Sequence, residues 1–329
     1  MKIKADTLRT PDEAFENLSD YPFKPHYIQV DGMRLHYLDE SKLDEGKERQ
    51  KVIFLFHGQP SWSYLYRHMI PVLVDAGYRV IAPDLIGFGK SDKPPSSDEH
   101  TYSNHVKWMR SFVQQLGIKH GAAFFQDWGG MIGLRVLAQE PEWLDRLVVA
   151  NTALAEMNTV AKFMVPKILK ALAALAGKPS IEKLASNMNY GNWAGYFRHA
   201  KQLDIGQVLQ ALTTRQLNAD EMSAYNAPFP SPEYYAAPRK MPEIVASDLN
   251  EVNADWLKLK QWLHPVLTLF SDKDPFLADQ GYDTKFQQNF SGAKNQPHMT
   301  VENASHFLQE DQSSQLANTT IGWLQKTQF

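Results

Sequence analysis

The segment from residue 122 to residue 138 constrains the fold of this chain more than any other. Four apolar residues, 122–125, are followed by Gln126 and Asp127, then by two glycines and a run with helical character. This pattern predicts a strand, a tight turn with a side chain at its tip, and a helix. The glycines allow the backbone to turn sharply and let the helix pack closely on the strand. The side chain at the tip is a carboxylate, Asp127, which has the chemistry of a nucleophile.

Apolar runs and helical patterns alternate along much of the chain. Strands are predicted at residues 52–56, 78–82, 122–126, 146–150, 265–270 and 298–301, and helices at residues 64–76, 103–116 and 308–324. Two alternating runs around Asp31-Gly32 indicate a β-hairpin over residues 27–39. Strands that alternate with helices form parallel sheets with right-handed crossovers. The sequence therefore predicts an α/β fold with a mostly parallel central sheet and helices on both faces.

The alternation stops after Asn151 and resumes near residue 265. Between these points the helical patterns cover residues 160–176, 181–188, 205–212 and 219–225, and five prolines follow between residues 228 and 242. A helical insertion after the middle strands of such a sheet is typical of a lid over the active face. We therefore predict a core domain of residues 1–154 and 241–329 and a helical cap domain of residues 155–240.

Three chemically active side chains follow predicted strands: Asp127, Asp274 and His306. The carboxyl ends of parallel strands meet at one edge of the sheet, where ligands bind. The order nucleophile, acid, histidine is that of the α/β-hydrolase fold. An isolated Asp at such a place is usually a cap or turn residue, but three groups in this order favour a catalytic site. Asp272 competes for the acid role, and we favour Asp274 because Pro275 suits a chain that leaves a strand end.

A carboxylate in this position allows one particular kind of chemistry. Asp127 can displace a leaving group from a saturated carbon and form an alkyl ester with the enzyme. His306 would then take a proton from the water that hydrolyses the ester, and Asp274 would fix the tautomer of His306. The backbone N–H groups of Gln59 and Trp128 would bind the oxyanion. Loss of one such donor typically costs about 2.7–4 kcal/mol.

Trp128 indicates which leaving group the site accepts. An indole offers one hydrogen-bond donor, no acceptor and a large apolar body. These properties suit a halide ion, which needs donors in a dry pocket and leaves without a proton. Packing of the turn is the alternative role for Trp128. Trp193 lies in the predicted cap and is our candidate for the second halide donor.

The sequence resembles a known family, the haloalkane dehalogenases. The motifs that carry the resemblance are residues 57–67, 84–94, 126–130, 224–230 and 304–310. The resemblance implies Asp127 as nucleophile, His306 as base, Asp274 as acid and Trp128 as first halide donor. It also implies the α/β-hydrolase fold and a hydrolase that acts on carbon–halide bonds.

The family divides by the position of the acid and by the second halide donor. One branch has its acid after the strand that follows the nucleophile and an Asn beside the His-Gly pair. This chain has Asn151 and Gln59 at those two places. It therefore resembles the other branch, with the acid after the later strand and a Trp of the cap as second donor. This assignment gives Asp274 and Trp193.

Composition limits the partners of the chain. Its net charge of −3 gives no sign of nucleic-acid binding, and the absence of cysteine excludes disulfides and a thiol nucleophile. Residues 1–6 lack the apolar core of a signal peptide, and lysines interrupt the apolar residues 163–176, so neither segment predicts a membrane span. We expect a cytoplasmic monomer with a role in detoxification. We expect a small apolar haloalkane and water as substrates, a halide as product, and no cofactor, metal, nucleic acid or membrane as partner.

Two other functions fit parts of the pattern. An epoxide hydrolase would form the same ester on Asp127 but would need acidic donors on the epoxide oxygen. The tyrosines available for that role are Tyr190, Tyr196, Tyr225, Tyr234 and Tyr235. A ligand-binding protein without activity would leave the combination of Asp127, Asp274 and His306 unexplained.

Overall fold

A single, mostly parallel β-sheet organises the computed structural model, which describes residues 6–42 and 50–329. The eight strands within these residues are β1 His26–Val30, β2 Met33–Glu40, β3 Val52–Phe56, β4 Arg79–Pro83, β5 Gly121–Gln126, β6 Leu144–Ala150, β7 Val266–Ser271 and β8 Met299–Val301. They lie in the order β1-β2-β4-β3-β5-β6-β7-β8. Strands β3 to β8 are mutually parallel, and β2 is antiparallel to both of its neighbours. The predicted hairpin and parallel sheet are both present.

Burial of the strands explains their apolar composition. Every residue of β3, β5 and β7 is buried, which requires that helices cover both faces of the sheet. The twelve helices of the described residues are α1 Met69–Asp75, α2 Tyr102–Leu116, α3 Asp127–Gln139, α4 Thr159–Leu175, α5 Ile181–Ser186, α6 Tyr190–His199, α7 Ile205–Ala211, α8 Ala219–Asn226, α9 Ala236–Ile244, α10 Leu249–Leu259, α11 Tyr282–Asn289 and α12 Leu308–Lys326. None of these helices combines the length and the apolar character that crossing a bilayer requires.

The chain between β6 and β7 contains helices and no strand. Five successive helices, α4 to α8, each begin after a residue whose side chain accepts a hydrogen bond from a backbone N–H of the first turn. Such caps satisfy amide groups that have no partner within the helix. The cap residues therefore mark where these helices begin.

Several elements differ from the sequence prediction. The predicted helix over residues 64–76 is a 3₁₀ turn, Ser63–Tyr66, followed by α1. Helices α6, α9, α10 and α11 were not predicted, and α9 spans residue 240, where the predicted cap ends. The division into core and cap therefore remains a prediction. Residues 1–5, on which the expectation of no signal peptide partly rests, lie outside the described residues.

Candidate active site

Asp127 stands at a sharp turn between β5 and α3. Its φ angle is +49°, in the left-handed region that side chains other than glycine rarely adopt. The backbone N–H of Asp127 donates to the carbonyl of Asn151 at 3.0 Å. The Thr152 hydroxyl donates to the carbonyl of Asp127 at 2.6 Å. The segment that follows β6 thus holds the strained turn in place, with the carboxylate half-buried at the end of the sheet.

Two glycines let the chain approach Asp127 closely. A Cβ atom at Gly58 would lie 2.1 Å from Oδ1 of Asp127, and one at Gly129 would lie 2.3 Å from the carbonyl oxygen of Phe56. Both distances are far below a van der Waals contact, so any larger residue would displace the nucleophile or the helix. The requirement for glycine at these places is therefore steric.

His306 lies between the two predicted carboxylates. Its Nδ1 is 2.7 Å from Oδ2 of Asp274, and its Nε2 is 3.4 Å from Oδ2 of Asp127. The other oxygen of Asp274 accepts N–H bonds from Phe276 at 2.8 Å and Leu277 at 3.2 Å. Asp274 is thus fixed by backbone donors and aimed at the imidazole.

Asp272, the alternative acid, points away from this group. It is exposed, and its Oδ1 accepts a hydrogen bond from the N–H of Ala304 at 3.1 Å. The structure brings together Asp127, His306 and Asp274, and it leaves Asp272 as a brace between two loops.

The electrostatic environment favours a charged His306. Burial lowers the pKa of the imidazole, but the carboxylates of Asp274 and Asp127 outweigh it and raise the pKa of His306 to about 10. The imidazolium therefore pairs with both carboxylates in the free protein. Loss of the negative charge of Asp127 would remove one of these two causes and lower the pKa of His306, so that more of the imidazole would be neutral and able to accept a proton.

The two oxygens of the Asp127 carboxylate have different neighbours. Oδ1 accepts the backbone N–H of Gln59 at 2.8 Å, whereas Oδ2 faces His306. The N–H of Trp128 lies in the first turn of α3, where amide groups have no partner within the helix. Oδ1 therefore lies where backbone N–H groups can stabilise negative charge on it.

A cavity of about 140 Å³ opens above the Asp127 carboxylate. Its lining consists of Gln59, Asp127, Trp128, Met131, Thr152, Ala153, Tyr190, Trp193, Pro242, Val245, Phe276, Leu277 and His306. Trp128 and Trp193 both belong to this lining, so both predicted halide donors border the space beside the nucleophile. The cavity is small and largely apolar, which suits a compact apolar substrate.

Sequence reasoning missed several residues of this lining. Phe276 packs edge-on against both Trp193 and His306, with ring centroids 5.4 and 5.7 Å apart. Its proximity to Asp274 in the sequence is the one signal that marks it. Tyr190, which the sequence offered only as a possible epoxide donor, lies one helical turn before Trp193 and lines the cavity from α6. The sequence pattern did not predict this helix.

The side chains of Asn151 and Gln59, whose identities bear on the predicted place of the acid and of the second halide donor, make structural hydrogen bonds. The Asn151 amide donates to the Ser271 hydroxyl at 2.7 Å and to the carbonyls of Ser305 and His306 at 3.0 and 3.1 Å. It also accepts the N–H of Ser271 at 2.9 Å. Asn151 therefore joins the ends of β6 and β7 to the loop that carries His306, which we call the histidine loop. The Gln59 amide donates to the carbonyl of Pro238, outside the site.

The tyrosines considered for epoxide chemistry are mostly committed elsewhere. Tyr190 is the one of the five that lines the cavity, and its hydroxyl donates to the carbonyl of Pro242 at 2.8 Å. Burial raises the pKa of Tyr190 to about 12. The hydroxyl of Tyr225 donates to Glu310 instead. This arrangement lacks the pair of free acidic donors that an epoxide oxygen would require.

A largely buried cluster of charged residues anchors the chain just after His306. We call it the Arg67 cluster, and its members are Arg67, Arg215, Glu221, Tyr225 and Glu310. The guanidinium of Arg67 contacts Glu310 at 2.5 Å and Glu221 at 2.8 Å, and Arg215 bonds to both glutamates. These residues connect the chain after β3, the helical insertion and the first turn of α12. Since Glu310 follows His306 by four residues, the cluster anchors the segment that carries the imidazole.

Known proteins share both the sequence and the fold of this chain. Residues 51–313 match the family described as alpha/beta hydrolase fold. The haloalkane dehalogenase of Psychrobacter cryohalolentis is 39% identical over 96% of this chain and 97% of the relative. That of Mycolicibacterium paratuberculosis is 38% identical over 97% and 98%, respectively. Among solved structures, the tetrameric haloalkane dehalogenase DpaA of Paraglaciecola agarilytica is 26% identical, with a TM-score of 0.76 and coverage of 95% of this chain and 97% of that one.

Proposed function

The chain belongs to the haloalkane dehalogenase family of the α/β-hydrolase fold, and we propose that Asp127, His306 and Asp274 carry its reaction. Membership confirms the predicted family, fold and reaction class: hydrolysis of a carbon–halogen bond to an alcohol and a halide. The observation that carries our assignment of residues is the position of the Asp127 carboxylate. It borders the same cavity as two indoles and an imidazole that is itself paired with Asp274.

The first step is a displacement at carbon. Oδ2 of Asp127 attacks the carbon that bears the halogen, a new C–O bond forms, and the electron pair of the C–X bond leaves with the halide. The indole N–H groups of Trp128 and Trp193 donate to the departing halide. Hydrogen bonds to a charged group contribute about 1.5–3 kcal/mol each, and these two strengthen as charge develops on the halogen.

The second step is hydrolysis of the ester. Water attacks Cγ of Asp127 while His306 takes one of its protons through Nε2, and Asp274 stabilises the imidazolium. The negative charge that develops on Oδ1 is received by the N–H groups of Gln59 and Trp128. Collapse of the intermediate breaks the bond between Cγ and the ester oxygen, and the leaving alkoxide takes the proton from the His306 imidazolium and departs as the alcohol. The carboxyl group, which now holds one oxygen from water, loses the second proton of that water to solvent, so the carboxylate and the neutral imidazole are restored.

Trapping the ester tests this proposal directly. We expect His306→Phe to react with 1,2-dibromoethane, release one halide per enzyme and gain the mass of a bromoethyl group on Asp127, because the base for hydrolysis is absent. Intact mass and free halide are the measurements. Asp127→Asn should show neither product, and His120→Phe, which changes an exposed histidine far from the cavity, should turn over normally.

Four outcomes would contradict the assignment. Halide release by His306→Phe at the wild-type rate over many turnovers would remove His306 as base. An adduct on another residue would remove Asp127 as nucleophile. Adducts with epoxides and none with haloalkanes would support the epoxide hydrolase alternative, and no reaction of the wild-type protein with either would support a ligand-binding role.

The proposal also covers the oligomeric state, the cellular location and the domain division of the protein. A haloalkane and water as substrates and a halide as product follow from family membership. A monomeric, cytoplasmic protein with a core of residues 1–154 and 241–329 remains our proposal, and one relative is described as tetrameric. Light scattering of the full chain measures the mass of the assembly and distinguishes these states.

A further inference from the structure

Helix α4 exposes an apolar face that no other part of the described chain covers. Val160, Phe163 and Leu175 are 72%, 63% and 83% exposed, and three further side chains extend the stripe: Met164, Ile168 and Leu172. Their spacing of three or four residues places them along one side of the helix. The opposite side of α4 packs on α6. A continuous exposed apolar stripe of this kind marks an interaction surface.

The charged residues of α4 itself have one sign. The helix contains Lys162, Lys167 and Lys170 and no acidic residue, whereas Glu156 and Glu182 lie beyond its two ends. Lys167 lies over the ring of Phe163, with its Nζ 3.3 Å from the ring centroid, within the exposed arc. Lys162 donates to the side chain of Asn250 in a cleft that Asp248 and Glu251 also line, so Lys167 and Lys170 are the lysines of α4 available to a surface. The helix is therefore basic and amphipathic, a combination typical of helices that lie on membrane surfaces.

The same helix borders a cavity next to the candidate active site. This second cavity, of about 310 Å³, lies between α4 and α6, and Pro166, Leu169 and Lys170 of α4 line it. Tyr190 lines both this cavity and the one beside Asp127. The two spaces are therefore neighbours that share one side chain.

We propose that α4 binds the surface of a bilayer that contains anionic lipids, with its apolar stripe among the acyl chains and its lysines among the headgroups. If the proposed function holds, this contact places the cavity beside α4 next to the apolar interior of the bilayer, in which an apolar haloalkane dissolves. The expectation of no membrane partner rested on the lack of a spanning segment. A helix that lies in the interface needs only an apolar stripe and flanking cations.

Charge favours a lipid surface over a second copy of the chain. A two-fold interface brings the same surface together on both sides, so it would place the lysines of two α4 helices near each other. Anionic headgroups instead attract each lysine. This argument selects the lipid surface and makes self-association an outcome of the test.

Sedimentation with vesicles tests the proposal without reference to catalysis. We expect the full-length protein to bind vesicles of phosphatidylcholine with phosphatidylserine, to bind phosphatidylcholine alone weakly, and to dissociate at high salt. Lys167→Gln with Lys170→Gln should reduce the partition coefficient about 25-fold, since each lysine near such a surface contributes a factor of about five. Phe163→Gln with Leu175→Gln should reduce it similarly.

Matched controls change the same residue types elsewhere. Leu257 and Leu263 are 62% and 74% exposed and lie outside α4, so Leu257→Gln with Leu263→Gln should leave binding unchanged. Lys24→Gln with Lys294→Gln is the corresponding charge control. Halide release by all variants, measured without vesicles, shows separately whether the proposed reaction holds.

Three results would overturn the lipid assignment. The first is no binding to anionic vesicles at low salt. The second is equal binding by wild type and both α4 variants. The third is a dimer in light scattering that dissociates in Phe163→Gln with Leu175→Gln, which would assign the stripe to a second copy of the chain.

Discussion

At the scale of single residues, the choice between Asp274 and Asp272 decides how the base is oriented. Asp274→Asn should still form the ester, because the nucleophile is intact, but should hydrolyse it far more slowly. In a serine protease the analogous change lowers the rate about 10⁴-fold through the wrong histidine tautomer. Pre-steady-state halide release followed by steady-state alcohol formation measures the two steps. Asp272→Asn is the control and should change neither; equal effects of both changes would remove Asp274 from the site.

The second proposed halide donor is a single residue, Trp193. Trp193→Phe keeps the ring contacts with Phe197 and Phe276 but removes the N–H donor. We expect the single-turnover rate of carbon–halogen cleavage to fall roughly 10- to 100-fold, because a bond to a developing charge is lost. Trp262→Phe changes an indole outside the cavity and should have no effect. An unchanged rate in Trp193→Phe would exclude it as a halide donor.

What the sequence revealed about these residues depended on their position relative to strands. Asp127, Asp274 and His306 each follow a buried apolar run, and strand ends in a parallel sheet meet, so their proximity could be predicted. Phe276 and Tyr190 could not be predicted from such a pattern. Their place in the cavity depends on how the helical insertion packs over the sheet, which is a matter of tertiary contacts.

At the scale of elements, the Arg67 cluster joins three segments through charges taken out of water. Removing one partner of a buried ion pair leaves the other uncompensated and typically costs 3–5 kcal/mol. We therefore expect Glu310→Gln to lower the free energy of unfolding by about 3 kcal/mol in urea titrations. Glu140→Gln, which breaks a partly exposed pair with Arg110, should cost less than about 1 kcal/mol. Equal costs would show that burial adds nothing to the cluster.

The elements themselves were predictable to different degrees. Strands of the sheet are marked by continuous apolar runs, and β3 and β5 were predicted within one residue of their observed bounds. Helices of the insertion are short and follow one another after brief loops. Helix α9 contains Pro242 within its length, and that proline indicated the end of the insertion rather than a helix.

At the scale of the whole molecule, His306 links the site to stability. Its pKa in the folded protein is raised to about 10, against about 6.5 in an unfolded chain. Its charged form therefore stabilises the fold fully below about pH 6.5, and this contribution is lost as the pH rises toward 10. We expect the free energy of unfolding of the wild type to fall relative to that of His306→Gln across this range, by at most about 1.4 kcal/mol per pH unit.

Urea titrations at several pH values between 6 and 10 measure this difference. Other groups that titrate in the range contribute equally to both proteins and cancel. Burial lowers the pKa of Lys93 to about 7, for example, and that contribution has the opposite sign. A constant difference between wild type and variant would mean that His306 is not preferentially charged in the folded state.

The unequal surroundings of the two oxygens of Asp127 determine which of them exchanges with solvent during turnover. Oδ1 is held by the N–H of Gln59, and Oδ2 faces His306. On the proposed mechanism, Oδ2 leaves with every alcohol and is replaced from solvent. A molecule that has worked many times in isotopically heavy water therefore carries one exchanged atom in its carboxylate and one original atom. Full replacement of both atoms would require the side chain to rotate between cycles. The enzyme thus retains, in a single functional group, a chemical record of whether it has ever turned over and of how firmly its nucleophile is held.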